Sequence, residues 1–133
     1  MTNLAISKSY EIALPRKQLF DAWISPKTVI APVSRIEVLP QAGGFLKLFV
    51  ETPEGVSQMH GVFQTFERPE RLQYSWEWDE NGEVTQIDVR FVEISGGTRI
   101  EIEHTGFRSA ASRETHDSGW DSYVAGVVEL LKD

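Results

Sequence analysis

One run of residues in the middle of the chain constrains the fold more than any other feature. Leu72, Tyr74, Trp76 and Trp78 are large and apolar, and single polar residues separate them. Strict alternation of this kind is typical of a β-strand with one face buried. Similar runs extend over residues 35–105, separated by turn residues of which Asn81-Gly82 is the clearest hairpin signal. The pattern predicts a meander of antiparallel strands.

Other segments carry the three- and four-residue spacing of an amphipathic helix. Leu19, Phe20 and Trp23 follow Pro15, a residue that fits the first turn of a helix, so a short helix is expected over residues 15–24. Ser25 can cap a second short helix that extends to residue 30. Near the end of the chain, apolar residues predict a long helix over residues 113–131: Trp120, Val124, Val127, Val128 and Leu131.

The order of the predicted elements defines the fold class. A first strand, two short helices, about six antiparallel strands and one long helix form an α+β arrangement. The strands are expected at residues 3–13, 35–39, 45–51, 56–66, 72–78, 85–91 and 98–105. One face of such a sheet needs an apolar cover, and only the last helix is long enough to supply it. No repeat or linker divides residues 1–133, which predicts a single domain.

The charge and the cysteine content exclude several classes of function. The chain has 13 Lys and Arg residues against 20 Asp and Glu residues, a net charge of −7, which argues against binding to nucleic acid or anionic membranes. It has no cysteine, so disulfides and thiol nucleophiles are excluded. No run approaches the roughly 18 apolar residues of a membrane span, and the N-terminus does not resemble a signal peptide. A cytoplasmic location is therefore expected.

The histidines and glycines do not form a known catalytic or metal-binding motif. His60, His104 and His116 share no short spacing, and neither an HExxH zinc motif nor a GxSxG nucleophile motif is present. Gly43-Gly44 and Gly96-Gly97 occupy predicted hairpin turns rather than the start of a helix, so they do not form a phosphate-binding loop. The sequence therefore predicts neither a metal nor another cofactor.

Several short motifs resemble those of one protein family. Residues 15–26, with the sequence PRKQLFDAWISP, resemble the motif P-x-x-x-h-F-x-A-W-T-x-P of the SRPBCC superfamily. More narrowly, they resemble its AHSA1-like branch, which is named for the activator of Hsp90 ATPase. Further motifs of that branch are matched in the same order along nearly the whole chain, at residues 43–45, 60–63, 68–76, 96–107 and 119–120.

The resemblance implies a helix-grip fold, in which a curved antiparallel sheet wraps around a long C-terminal helix and leaves a cavity between them. Family members bind small hydrophobic ligands, some relatives are cyclases or hydrolases, and the eukaryotic namesake stimulates a chaperone ATPase. The chain departs from the family at Val29–Val33, where an aromatic pair followed by Gly-Pro is usual. Because this segment borders the cavity mouth in the family, a differently shaped and more open entrance is expected.

The first functional hypothesis is the binding of a small hydrophobic or aromatic ligand between the sheet and the last helix. Large aromatic side chains can either fill a core or line a cavity, and Tyr and Trp suit a cavity because each combines an apolar body with a polar tip. The residues expected to line it are Trp23, Phe45, Phe49, Tyr74, Trp76, Trp78, His104, Trp120, Tyr123 and Val127.

Two alternatives remain open from the sequence alone. In an enzyme that uses the same cavity, His104 would be the general acid or base, oriented by a carboxylate such as Glu51 or Asp121. In an interaction module, the acidic outer face of the sheet would bind a chaperone or another protein. A homodimer through a sheet edge or through Val29-Ile30 is a further expectation.

Overall fold

A computed structural model describes residues 4–132 of the chain. These residues form one seven-stranded antiparallel sheet, with strand order β1-β7-β6-β5-β4-β3-β2, and two α-helices. The elements are β1 (Ile6–Ile12), α1 (Arg16–Trp23), β2 (Val33–Val38), β3 (Phe45–Thr52), β4 (Gly55–Glu67), β5 (Arg71–Trp78), β6 (Thr85–Ile94), β7 (Gly97–Thr105) and α2 (Ala110–Leu131). The α+β class and the helix-grip architecture are therefore confirmed.

The sheet is a meander to which the first strand is added at one edge. From β2 to β7, each strand pairs antiparallel with the next one along the chain. β1 pairs antiparallel with β7, so that Ile6 lies opposite His104 and Ile12 lies opposite Thr98. The predicted meander is confirmed, and this pairing leaves β1 and β2 as the two edges of the sheet.

Only one short helix follows β1 in the described residues, so the prediction of a second helix over residues 25–30 is wrong. Ser25 Oγ accepts a hydrogen bond from the Lys27 N–H at 3.1 Å, and the Thr28 N–H donates to the Ser25 carbonyl at 3.1 Å. These bonds close a single turn. Ala31 precedes a proline, which disfavours helical backbone, and the chain instead extends into β2.

The long helix α2 covers the inner face of the sheet, as the sequence predicts. It begins at Ala110, three residues before the predicted start, because Ser109 caps it: Ser109 Oγ accepts a hydrogen bond from the Ser112 N–H at 3.1 Å. Its buried residues are Trp120, Val124 and Val127. Within residues 4–132, no helix has both the length and the hydropathy needed to cross a membrane.

The inner face of the sheet forms the hydrophobic core. In β6, the alternating residues Ile87, Val89 and Phe91 are each at most 1% exposed. From α1, Leu19 and Phe20 pack against this face and are completely buried. The period of two in the sequence therefore corresponds to one buried and one outer face of the sheet.

Gly61 of β4 leaves no space for a side chain. A Cβ atom at this position would lie 2.2 Å from the carbonyl oxygen of Ser75 in β5. Because that atom belongs to the backbone, the strands would have to move apart. Gly61→Ala is therefore expected to lower the free energy of unfolding by about 2 kcal/mol or more.

Gly119→Ala is the matched control for this prediction. An added Cβ at Gly119 in α2 would meet no atom within 4 Å, so alanine should stabilise the helix by about 0.5–1 kcal/mol. Urea denaturation followed by circular dichroism measures both variants. Equal stability of Gly61→Ala and the wild type would contradict the close approach of β4 and β5.

Candidate functional site

A cavity of about 440 Å³ lies between the inner face of the sheet and α2. β3 contributes Leu46, Leu48 and Val50, and β5 contributes Tyr74, Trp76 and Trp78. The helix α2 contributes Thr115, His116, Gly119, Trp120, Ser122 and Tyr123. The remaining wall residues are Trp23, Thr28, Ile30, Ala31, Pro32, Val33, Ile36 and His104. Packed side chains therefore do not fill the space between sheet and helix completely.

Seven of the ten predicted lining residues lie on the cavity wall: Trp23, Tyr74, Trp76, Trp78, His104, Trp120 and Tyr123. Val127 is buried in the core but is not part of the wall. Phe45 and Phe49 lie on the outer face of β3. Lys47 Nζ lies 5.1 Å from the centroid of the Phe45 ring, and the Arg35 guanidinium carbon lies 4.0 Å from that of Phe49. Cationic side chains therefore cover both phenylalanine rings.

The pairing of β3 with β4 explains why the phenylalanines point outward. Leu48 lies opposite Met59, which is completely buried, so both side chains point to the core. Phe49 lies opposite Gln58 and therefore points to the other face. Because residues 45–50 are apolar at both parities apart from Lys47, their alternation alone does not show which face is buried.

All four tryptophans of the chain line the cavity, and hydrogen bonds hold two of their rings. Trp23 Nε1 donates to Tyr74 Oη at 3.2 Å, and Tyr123 Oη donates to the Trp23 carbonyl at 3.2 Å. The rings of Trp23 and Trp120 are stacked, with centroids 5.9 Å apart. Burial raises the pKa of both Tyr74 and Tyr123, so these phenols stay uncharged. The result is a preorganised, neutral aromatic wall.

Among the described residues, no Asp, Glu, Lys or Arg lies on the cavity wall. Lys8 shares the inward parity of β1, but its ammonium group pairs with Asp117 at 3.1 Å and with Asp121 at 2.8 Å on α2. Tyr10 Oη also donates to Asp121, at 2.6 Å. A charged ligand would lose its hydration in the cavity without gaining a counter-charge, so the wall favours uncharged ligands.

His104 is completely buried and joins α2 to the sheet. Because an indole N–H can only donate, Trp120 Nε1 donates to His104 Nδ1, 3.1 Å away. The ring hydrogen is then on Nε2, which donates to Thr85 Oγ1 at 2.7 Å, and Thr85 donates to the Trp76 carbonyl at 3.1 Å. Burial, with a smaller effect of nearby His116, lowers the pKa of His104 to about 3, so the ring is neutral at physiological pH.

This environment does not support His104 as a general acid or base. Both ring nitrogens are engaged in hydrogen bonds, and the side chain is completely buried. The carboxylates expected to orient it lie elsewhere: Glu51 is exposed near the end of β3, and Asp121 binds Lys8 and Tyr10. The network instead gives His104 a structural role on the cavity wall.

His116 also lies on the wall, although the predicted site residues do not include it. The signal that could have found it is its spacing: His116 precedes Trp120 by four positions and Tyr123 by seven, which places all three on one helical face. Its ring centroid lies 5.4 Å from that of His104, whereas His60 is exposed on the outer face of β4. Within residues 4–132, no three His, Cys, Asp or Glu side chains form a metal-binding group.

The cavity reaches the surface between α2 and the segment that links α1 to β2. Ala31 and Pro32 on that segment and Gly119 on α2 line the cavity and are exposed. Ile30 packs on Gly126, since a Cβ atom at Gly126 would lie 2.6 Å from Ile30 Cγ2. This close contact holds the segment against the helix at the mouth of the cavity.

Gly126→Ala is expected to push Ile30 away from α2 and loosen the mouth. The clash involves a side chain rather than backbone, and alanine favours helix by about 0.5–1 kcal/mol, so the fold should tolerate the change if Ile30 moves. Association and dissociation rates of an uncharged naphthalene probe, measured by stopped-flow fluorescence, should both rise severalfold. Ile30→Ala should have the same effect, and rates equal to wild type in both variants would contradict the role of this contact.

His104 should make the folded state sensitive to acid. Its folded-state pKa of about 3 lies below the ordinary value of 6.5, so the unfolded chain binds a proton first as the pH falls. The free energy of unfolding is therefore expected to fall from pH 6.5 toward pH 3, by up to about 1.4 kcal/mol per pH unit. Above this range the imidazole is neutral in both the folded and the unfolded state, so the contribution of His104 to the free energy of unfolding does not change with pH.

Urea denaturation at a series of pH values tests this dependence. His104→Gln does not titrate and should reduce the slope, although it lowers stability at about pH 7 by roughly 1–3 kcal/mol because hydrogen bonds are lost. His60→Gln is the matched control, because His60 is exposed, and it should keep the wild-type slope. An unchanged slope in the His104 variant would show that this histidine is not held neutral by burial.

The chain resembles several solved structures over nearly its whole length. Protein CV1439 from Chromobacterium violaceum is 18% identical with a TM-score of 0.82, and the match covers 97% of each chain. Protein Ms6760 from Mycobacterium smegmatis is 18% identical with a TM-score of 0.79, over 98% of this chain and 91% of that one. PFC0360w, an HSP90 activator from Plasmodium falciparum, is 18% identical with a TM-score of 0.80, and the match covers 96% of this chain and 95% of that one. At these identities the likeness shows the fold alone.

The family follows from a comparison with sequence models rather than from individual relatives. No curated protein matches the chain significantly. The model of the family described as Activator of Hsp90 ATPase homolog 1-like protein matches residues 13–132, which is nearly the whole chain. The resemblance of the sequence motifs is therefore confirmed, and the chain belongs to the family of Activator of Hsp90 ATPase homolog 1-like proteins.

Proposed function

We propose that the protein binds a small, uncharged and largely apolar ligand in the cavity between the sheet and α2. The observation that carries this proposal is the cavity itself, which has a volume of about 440 Å³ and is walled by all four tryptophans. Pockets for small organic ligands commonly measure about 300–1,000 Å³ and combine apolar walls with a few polar groups. Both the size and the neutral aromatic wall support this function.

The wall suits ligand binding because hydrogen bonds within the protein hold its rings. The Trp23 indole donates to Tyr74 and the Trp120 indole donates to His104, while Tyr123 donates to the backbone carbonyl of Trp23. Binding then orders few side chains, so more of the roughly 25 cal/mol per Å² of buried apolar surface contributes to affinity. Indole and phenol rings also offer favourable edge and face contacts to an aromatic ligand.

Leu48→Trp should fill part of the cavity and weaken binding. Leu48 lies between Leu46 and Val50 on the cavity side of β3, so a larger side chain there takes space from a ligand. Phe49→Trp is the matched control, because it places an indole one residue away on the outer face. For a panel of uncharged aromatic compounds, calorimetry should show a Kd raised about tenfold or more in Leu48→Trp and unchanged in Phe49→Trp.

Two results would contradict the proposal. One is the absence of binding by the wild type across the whole panel. The other is equal affinity of the wild type and a folded Leu48→Trp variant, which would place the ligand outside this cavity. Circular dichroism spectra of both tryptophan variants establish that they are folded.

A second candidate function is an interaction with a chaperone, and both family membership and the outer face of the sheet support it. Phe45, Phe49 and Val62 are apolar residues on this face, and Val62 is 39% exposed. The face is mixed in charge rather than acidic, because arginines pair with carboxylates there, as Arg71 does with Asp88 at 2.7 Å. The rate of ATP hydrolysis by Hsp90 tests this candidate, and no stimulation by a saturating amount of the protein would contradict it.

A further inference from the structure

We infer that His116 selects, among the uncharged ligands of the proposed function, those that carry a hydroxyl or N–H donor. This inference rests on the proposed function and adds the chemical class of the ligand. The ligand is then a largely apolar molecule, such as an aromatic alcohol, whose donor group hydrogen-bonds to His116 Nε2.

The tautomer of His116 follows from its hydrogen bond within α2. Its Nδ1 atom lies 2.8 Å from the carbonyl oxygen of Ser112. Because a carbonyl oxygen can only accept, Nδ1 carries the hydrogen and donates it. In the neutral ring, Nε2 then has a lone pair and no hydrogen. His116 therefore offers an acceptor, not a donor, at Nε2.

This acceptor is free and accessible. No group among residues 4–132 forms a hydrogen bond with His116 Nε2. The atom is also not fully enclosed, since Trp76 Nε1 is the only fully buried side-chain nitrogen or oxygen of those residues that lacks a partner. His116 lies on the cavity wall, so an occupant of the cavity contacts this side chain.

Several other polar side chains of the wall are already engaged within the protein, and the indole nitrogens on the wall can only donate. Thr28 Oγ1 donates to the Ala22 carbonyl at 2.6 Å, and Thr115 Oγ1 donates to the Ala111 carbonyl at 3.0 Å. His104 uses both of its ring nitrogens. A ligand donor that enters an otherwise apolar cavity loses its water, so a fixed acceptor on the wall determines whether that donor is satisfied.

The first turns of α2 hold His116 in position. Glu83, in the loop between β5 and β6, accepts hydrogen bonds from Ser112 Oγ at 2.7 Å and from the Arg108 N–H at 2.8 Å. Although burial opposes ionisation, these hydrogen bonds hold the pKa of Glu83 below its usual value, so the carboxylate is charged. Ser112, whose carbonyl accepts the hydrogen bond from the His116 imidazole, is thus held against the loop between β5 and β6. His116 is therefore a positioned acceptor.

This inference can be tested with two probes that are alike except for a hydrogen-bond donor. 2-Naphthol and 2-methoxynaphthalene share one ring system, but only the naphthol can donate a hydrogen bond. The wild type is expected to bind 2-naphthol about tenfold more tightly, which corresponds to one hydrogen bond formed out of water. Isothermal titration calorimetry at about pH 7.5, where phenols are mainly uncharged, measures both affinities.

Substitutions at the two accessible histidines complete the test. His116→Phe removes the acceptor but keeps an aromatic ring, so it should bind both probes with equal affinity. His60→Phe is the matched control on the outer face of β4 and should keep the preference for the naphthol. If His116→Phe does not fold, His116→Leu replaces it, and the same loss of preference is expected.

The outcomes distinguish this inference from the proposed function. Equal binding of the two probes by the wild type, or a preference that survives the loss of His116, overturns the role of His116 while ligand binding stands. Binding of neither probe nor of any other uncharged aromatic compound overturns the proposed function, and this inference with it. A preference that only the His116 variants lose supports both.

Discussion

The buried hydrogen bond between Trp120 and His104 is the interaction on which the rest of the structure depends. It joins the long helix to β7, and Thr85 continues the connection to the backbone of Trp76 in β5. The imidazole and the Thr85 side chain at its centre are removed from water, so breaking any of these bonds leaves a polar atom without a partner. The network thereby determines the position of the helix and of its large aromatic residues over the sheet.

Hydrogen bonds from two indole rings explain why the space under the helix stays open. An apolar void lowers stability because the atoms that line it lose packing contacts. Collapse into the space would require Trp23 and Trp120 to leave Tyr74 and His104, which accept their indole hydrogens. The rings are therefore held as walls, and the cavity supplies the apolar surface on which the proposed ligand binding rests. His104, which is buried beside the cavity, forms hydrogen bonds through both ring nitrogens. In His116, only Nδ1 has a partner among residues 4–132.

The predictions from the sequence were correct for strands in which only every second residue is apolar. Residues 72–78 alternate without interruption, and β5 presents its aromatic residues to the cavity as expected. They failed in β3, where Phe45 and Phe49 compete with the leucines between them and the pairing with β4 decides the direction. They also failed after α1, because Ser25 closes a turn instead of capping a helix. In β3 a contact between strands decided the outcome, whereas after α1 the hydrogen bonds of a local turn did.

By itself, the sequence determined the order of strands and helices, the α+β class, the family and the placement of most aromatic residues on one face. These are consequences of local periodicity and of short motifs, which each segment carries alone. Only the tertiary structure decided that the space between sheet and helix is hollow, which face of β3 borders it and which histidine of its wall retains a free acceptor. Each of these depends on strand register or on partners far apart in the chain, as the pairing of Trp120 with His104 and Thr85 shows.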